Sequence, residues 1–169
     1  LPVASTALLI ALTAQRLSEL VISKRNTKAL LARGAYEVGA SSYPILIAFH
    51  GLWLVSLWIF GWGRSVNVGF AIAAVVLQVG RLWIQRTLGE RWTTRIILVP
   101  CVEPVCSGPY RFLRHPNAVL VAVELPCLSL ALGLPWHALI FGFLTIVVTV
   151  WRVRIEDTAF SNAREASTC

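Results

Sequence analysis

Five apolar runs, each long enough to cross the hydrocarbon of a bilayer, are separated by short basic stretches, and this pattern constrains the fold more than any other feature of the chain. They extend over residues 3–22, 43–62, 66–88, 118–134 and 135–151. A crossing helix needs about 20 mostly apolar residues. Only 14% of the chain is charged, against roughly 25% in soluble domains, and 57% is hydrophobic. A water-soluble fold of 169 residues could not hide that much apolar surface. The expected fold is therefore all-α: a single membrane-embedded domain over residues 1–169 with five transmembrane helices. Gly133-Leu134-Pro135 reads as a tight turn that makes the last two spans a helical hairpin, and Pro126 is expected to kink the fourth. The first run lacks a basic leader and is followed by Gln15, Arg16 and Glu19, so it reads as a span rather than a signal peptide.

Charge supplies an orientation. Lys24, Arg25, Lys28 and Arg33 follow the first span; Arg86, Arg91, Arg95, Arg111 and Arg114 follow the third; Arg152, Arg154 and Arg164 follow the fifth. The opposite side carries only Arg64. The excess of cations on one side places the amino terminus outside and the carboxyl terminus in the cytoplasm. The net charge of +7 is thus topological and offers no sign of nucleic-acid binding. Residues 89–116 are too polar to span and hold Pro100, Pro104, Gly108 and Pro109, so they read as an irregular cytoplasmic segment.

Ionisable residues inside membrane helices are costly and face the protein interior or a water-filled cavity. Gln15, Arg16, Glu19 and Ser23 share one face of the first span, and Gln78, Arg81 and Gln85 one face of the third. Glu124 stands two turns inside the fourth span with no local partner. The expectation is that Arg81 neutralises Glu124 across the bundle, while Arg16 and Glu19 form a local pair. Arg152, Arg154, Glu156 and Asp157 read from composition alone as a charged helix end. His50 and His137 read as hydrogen-bonded interfacial histidines, and Cys101, Cys106, Cys127 and Cys169 as small thiols rather than metal ligands or a disulfide framework. No metal-binding or nucleotide-loop motif is present.

The stretch Ser107-Gly108-Pro109-Tyr110-Arg111-Phe112-Leu113-Arg114-His115-Pro116-Asn117 resembles a signature of the isoprenylcysteine carboxyl methyltransferase family, G-x-Y-x-x-x-R-H-P-x-Y. The run Arg154-Ile155-Glu156-Asp157 resembles the family's second signature, R-x-E-E, with Asp in the last place. Leu88-Gly89-Glu90-Arg91-Trp92-Thr93 also fits, and the likeness covers about residues 78–160. Arg16-Leu17-Ser18-Glu19-Leu20, Ser23-Lys24-Arg25-Asn26, Gly34-Ala35-Tyr36-Glu37 and Glu124 are similar to a bacterial branch. Members of that branch are associated with type III polyketide synthases and methylate alkylpyrones or alkylresorcinols. One departure is Ala118, where the family usually has an aromatic residue.

The resemblance implies S-adenosylmethionine as cofactor and a membrane O-methyltransferase with a lipophilic acceptor, either an alkylpyrone or alkylresorcinol hydroxyl or an isoprenylcysteine carboxylate. It implies a bacterial inner membrane and a functional link to a type III polyketide synthase. Tyr110, His115, Pro116 and Asn117 would border the cofactor, and Glu156 would hold its ribose or amino-acid part. Arg114 and Arg154 would fix the acceptor's anionic oxygen or the cofactor carboxylate, since guanidinium binds carboxylate as a fork. Glu124 would take the proton of a hydroxyl acceptor. Phospholipid N-methylation and a nicotinamide-dependent reductase are the more distant enzymatic readings. The charged stripes by themselves also suit a small non-catalytic transporter or assembly subunit.

Overall fold

The computed structural model describes residues 2–100, 102 and 104–166; Cys101 and Cys169 lie outside it, as does the side chain of Arg164. Among the described residues five α-helices carry the fold: α1 (Pro2–Ala32), α2 (Ser42–Gly61), α3 (Val68–Leu88), α4 (Pro116–Ala131) and α5 (Pro135–Ala166). Two short strands, β1 (Tyr36–Val38) and β2 (Ile96–Leu98), pair antiparallel with Glu37 opposite Ile97. The helical expectation therefore holds with one correction: a small sheet stitches the segment before α2 to the segment after α3. Three-residue strands are too short to show a period of two, so the sequence carries no sign of them.

Local chemistry sets the helix ends. Asn67 caps α3, its side chain accepting from the Phe70 amide at 3.3 Å. Pro116 opens α4 as its first residue, a place where the amide that proline lacks would have no partner within the helix. At the far end Gly133 adopts φ +66°, and the amides of Gly133 and Leu134 return to the carbonyls of Leu130 and Ser129 at 3.0 Å each. This paired closure ends α4, and Pro135 starts α5 at once, giving the expected hairpin. Helix α4 runs through Pro126 as one element.

Helices α1, α2, α3 and α5 are long and apolar enough to cross a membrane. Helix α4 has 16 residues, about 24 Å at 1.5 Å per residue, and is shorter than a typical hydrocarbon core. It is also the most enclosed, packed chiefly against α3 and α5. Leu125, Leu128 and Leu132 of its inner side meet Leu9 and Leu12 of α1, Trp53 and Leu57 of α2, and Phe141 of α5. Valines, leucines and isoleucines of α2, α3 and α5 point outward, among them Val55, Ile59, Val75, Val79, Leu139 and Ile140. Apolar residues both inside and outside are what a lipid solvent allows.

Two differences in length bear on the site. Helix α1 continues ten residues past its expected end at Ile22, and α5 runs on past Phe160. The extension of α1 is supported by side chains: Ser23 Oγ lies 2.7 Å from Thr94 Oγ1, and Asn26 Nδ2 donates to the Trp92 carbonyl at 2.8 Å. Gly34, at φ +88°, ends it. His50 contacts the Leu46 carbonyl at 2.9 Å, and His137 bridges Ser56 and Ser129 at 2.8 Å each, so both histidines are hydrogen-bonded. Cys106 is exposed and Cys127 buried, both as free thiols.

Candidate active site

The segment from Ser107 to Asn117 is held against the last turns of α3. Gly108 adopts φ +58°, and a Cβ there would stand 2.5 Å from Thr87 Oγ1, so only glycine permits this seat. A 3-10 turn, Gly108–Arg111, follows and swings Tyr110 onto a buried cluster of Ile84, Trp92 and Leu120. Burial, together with the nearby charge of Glu156, pushes the Tyr110 phenol up to about 12. At neutral pH it is a hydrogen-bond donor.

This segment meets the end of α5. His115 Nε2 lies 3.1 Å from Asp157 Oδ1, and His115 Nδ1 lies 4.0 Å from Glu156 Oε2. One imidazole therefore stands between two carboxylates from successive positions of α5. Arg114 reaches the same Asp157 oxygen at 3.4 Å from a largely exposed position. Asn117 Oδ1, one residue beyond Pro116, is buried without a hydrogen-bond partner. A buried orphan acceptor is rare and needs an explanation.

A groove of about 520 Å³ opens beside these groups between α4 and α5. Ala118, Val119 and Ala122 form one wall, and Ile146, Val150 and Val153 the other. Leu113, Arg114, His115 and Arg154 stand at its polar end. Val119, Ile146 and Val150 are about half exposed, so the groove is open on the face that lipid would cover. Among the described residues no carboxylate pairs with the Arg154 guanidinium. Arg152, one turn before Glu156, donates to the Thr94 carbonyl at 2.6 Å and ties α5 to the segment after α3.

Tyr110, Arg114, His115, Pro116, Asn117, Arg154 and Glu156 thus gather at one end of the bundle. Glu124 does not join them. It is 0% exposed on the opposite face of α4, about 200° around the helix from Ala122. Arg16 donates to it at 2.8 Å, Gln78 at 2.6 Å, and Arg81 closes on the same oxygen as Arg16. Arg16 also pairs with Glu19 at 3.0 Å, and Arg81 Nη1 lies 3.3 Å from Glu19. Gln15 links Glu19 and Gln78 at 3.1 and 2.5 Å. The expected Arg81–Glu124 pair is present, and Arg16 with Glu19 joins it instead of standing apart. Glu124, expected as a proton acceptor, has its oxygens taken by two guanidinium groups and an amide, and it does not line the groove. Asp157, expected as part of a charged helix end and as the last place of a signature, is the residue that contacts His115 most closely.

The sequence model described as "Isoprenylcysteine carboxyl methyltransferase (ICMT) family" matches residues 69–162, from α3 to near the end of α5. A Bacillus subtilis (strain 168) protein, "Uncharacterized protein YpbQ", is 35% identical over 153 residues, covering 88% of this chain and 91% of that protein. An "Uncharacterized protein" of Haemophilus influenzae (strain ATCC 51907 / DSM 11121 / KW20 / Rd) is 27% identical over 154 residues, covering 87% and 89%. No solved structure matches.

Proposed function

Because the chain belongs to the isoprenylcysteine carboxyl methyltransferase family, and so is an integral membrane methyltransferase, we propose that it moves a methyl group from S-adenosylmethionine to an oxygen of a lipophilic acceptor. One observation carries the reading: His115 of the motif segment is bound by Asp157 and faced by Glu156 beside a lipid-facing groove. The residues suit the cofactor. The unpartnered Asn117 Oδ1 is an acceptor for one of its amino or hydroxyl groups, Glu156 can take hydroxyls or the ammonium, and Tyr110 and His115 can donate. When bound, S-adenosylmethionine supplies an electrophilic methyl group on a positively charged sulfur.

The chain's own residues then have three tasks. The apolar walls of the groove take up the acceptor's tail and keep water from its reacting oxygen. Arg154, which pairs with no carboxylate among the described residues, holds that oxygen in place, and Arg114 flanks it. The Asp157–His115 contact fixes the motif segment against α5 so that these groups keep their spacing. With Glu124 turned away, the site suits an acceptor already ionised when it arrives: a carboxylate, or an acidic enol of the alkylpyrone kind. Alanine at position 118 leaves room in the groove wall for a flat or branched head. Two arginines at its polar end disfavour a phospholipid amine.

The same reading extends to topology. The turns before α3 and after α4 meet at one end, where the Asn67 amide donates to the Ala131 carbonyl at 2.8 Å. The strands, the 89–116 segment and the end of α5 meet at the other. This supports five crossings, α4 included, with the candidate site at the basic, cytoplasmic end of a bacterial inner membrane. A polyketide-forming enzyme is the kind of partner that would supply the acceptor. The test is transfer of labelled methyl from S-adenosylmethionine into lipid extracts of membranes containing the chain, paired with calorimetry of S-adenosylhomocysteine in detergent. Label in the wild type, entering about a hundredfold more slowly with His115→Ala, is the expected result. Absence of both label and binding in the wild type would sink the reading.

A further inference from the structure

The last three turns of α1 carry a second feature, which does not depend on the methyl-transfer reading. About 20 residues suffice to cross the hydrocarbon, so this 31-residue helix runs well past it in one unbroken piece. Its two faces differ there. Ser23, Thr27 and Leu30 are buried, with Ser23 and neighbouring Asn26 bonded to the segment after α3. On the outer face Lys24, Arg25 and Lys28 are exposed and, with Val21, Ala29 and Ala32, border a shallow trough of about 670 Å³.

The cations of this trough lack counter-charges that their neighbours have. Arg33 pairs with Glu90 at 2.6 Å, and Arg95 with Glu37 at 2.8 Å. Among the described residues no carboxylate pairs with Lys24, Arg25 or Lys28. Val21, one turn nearer the spanning part, is an exposed apolar side chain, and the two alanines leave space between the long basic ones. We propose that this trough binds the phosphodiester headgroup of an anionic phospholipid, with Val21 against its acyl chain. Charge complementarity selects the anion, and continuity of the helix with its spanning part sets the cations at headgroup depth. The bound lipid covers the one face of the α1 extension that the protein leaves bare.

Full-length protein is placed in nanodiscs of phosphatidylcholine with phosphatidylglycerol, and the lipid retained on extraction is counted by native mass spectrometry. Wild type is expected to retain phosphatidylglycerol over phosphatidylcholine. Lys28→Gln should weaken that preference about fivefold, and Lys24→Gln with Arg25→Gln and Lys28→Gln about a hundredfold, near 1 kcal/mol per cation. Arg64→Gln, at the other end of the bundle, should leave it unchanged. Equal retention of the two lipids by the wild type, or an unchanged preference in the triple variant, would overturn the site. So would displacement of the lipid by free glycerol phosphate at equal concentration, which would mark a site for soluble anions.

Discussion

The chain contains two clusters of arginine and carboxylate groups, and they are built on opposite plans. The cluster between α1, α3 and α4 is closed in charge, although Arg16 Nε and Arg81 Nε are buried without a hydrogen-bond partner. Its two arginines and two glutamates cancel, Glu124 is 0% exposed and Arg81 4%, and glutamine amides occupy carboxylate oxygens left over. The cluster between the motif segment and α5 is open. Arg114 is 78% exposed on its side chain, Arg154 is unpaired among the described residues, and Asn117 Oδ1 waits for a donor. A closed network fixes helices, because breaking it strands a charge where no water can reach. An open one leaves charge exposed to something that is not protein. The two family signatures fall on the open cluster, while Arg16, Glu19 and Glu124 of the closed one belong to the stretches similar to the bacterial branch.

The comparison can be broken by substitutions, and the largest effect belongs to the closed cluster. Arg81→Ala should cost about 3–5 kcal/mol of stability by denaturant titration in detergent, since it leaves two buried carboxylates to share the single cation of Arg16. The folded fraction should keep its methyl-transfer rate. Next comes the open cluster: Glu156→Gln or His115→Ala should lower kcat/KM about a hundredfold, close to 2.7 kcal/mol, with little change in the same titration. If the two sets of variants exchange phenotypes, the division is wrong. Arg154→Gln sharpens it, raising the KM for acceptor about tenfold, or 1.4 kcal/mol, while S-adenosylhomocysteine affinity in calorimetry stays constant. The smallest effect is expected from Arg33→Gln. Its pair with Glu90 is exposed on both sides, and its loss should change stability by under about 0.5 kcal/mol.

Much of this arrangement was legible in the residues. Apolar run length gave α2, α3 and α5, and Gly133-Leu134-Pro135 gave the hairpin. The lack of any local partner for Glu124 pointed to Arg81. Two separated signatures pointed to one site, and His115 does meet Asp157. What stayed hidden depends on contacts distant in sequence. Arg16 has Glu19 three residues on, so nothing local announced that its other nitrogen reaches Glu124. The extension of α1 past Ile22 lies beyond the apolar run, and its support comes from Thr94 and the Trp92 carbonyl some 70 residues away. The face on which Glu124 sits could not be fixed until the groove defined the other side of α4.

The closed network also has a history within each molecule. A ribosome makes Arg16, Glu19 and Arg81 before Glu124, and 43 residues separate the last two. At ~5–20 residues per second the gap lasts roughly 2–9 s. During it, Glu19 is the only carboxylate of the network yet synthesised, shared between two guanidinium groups. Until the α4–α5 hairpin is made, the residues of this network therefore sum to one surplus positive charge, and Glu124 supplies the counter-ion that removes it.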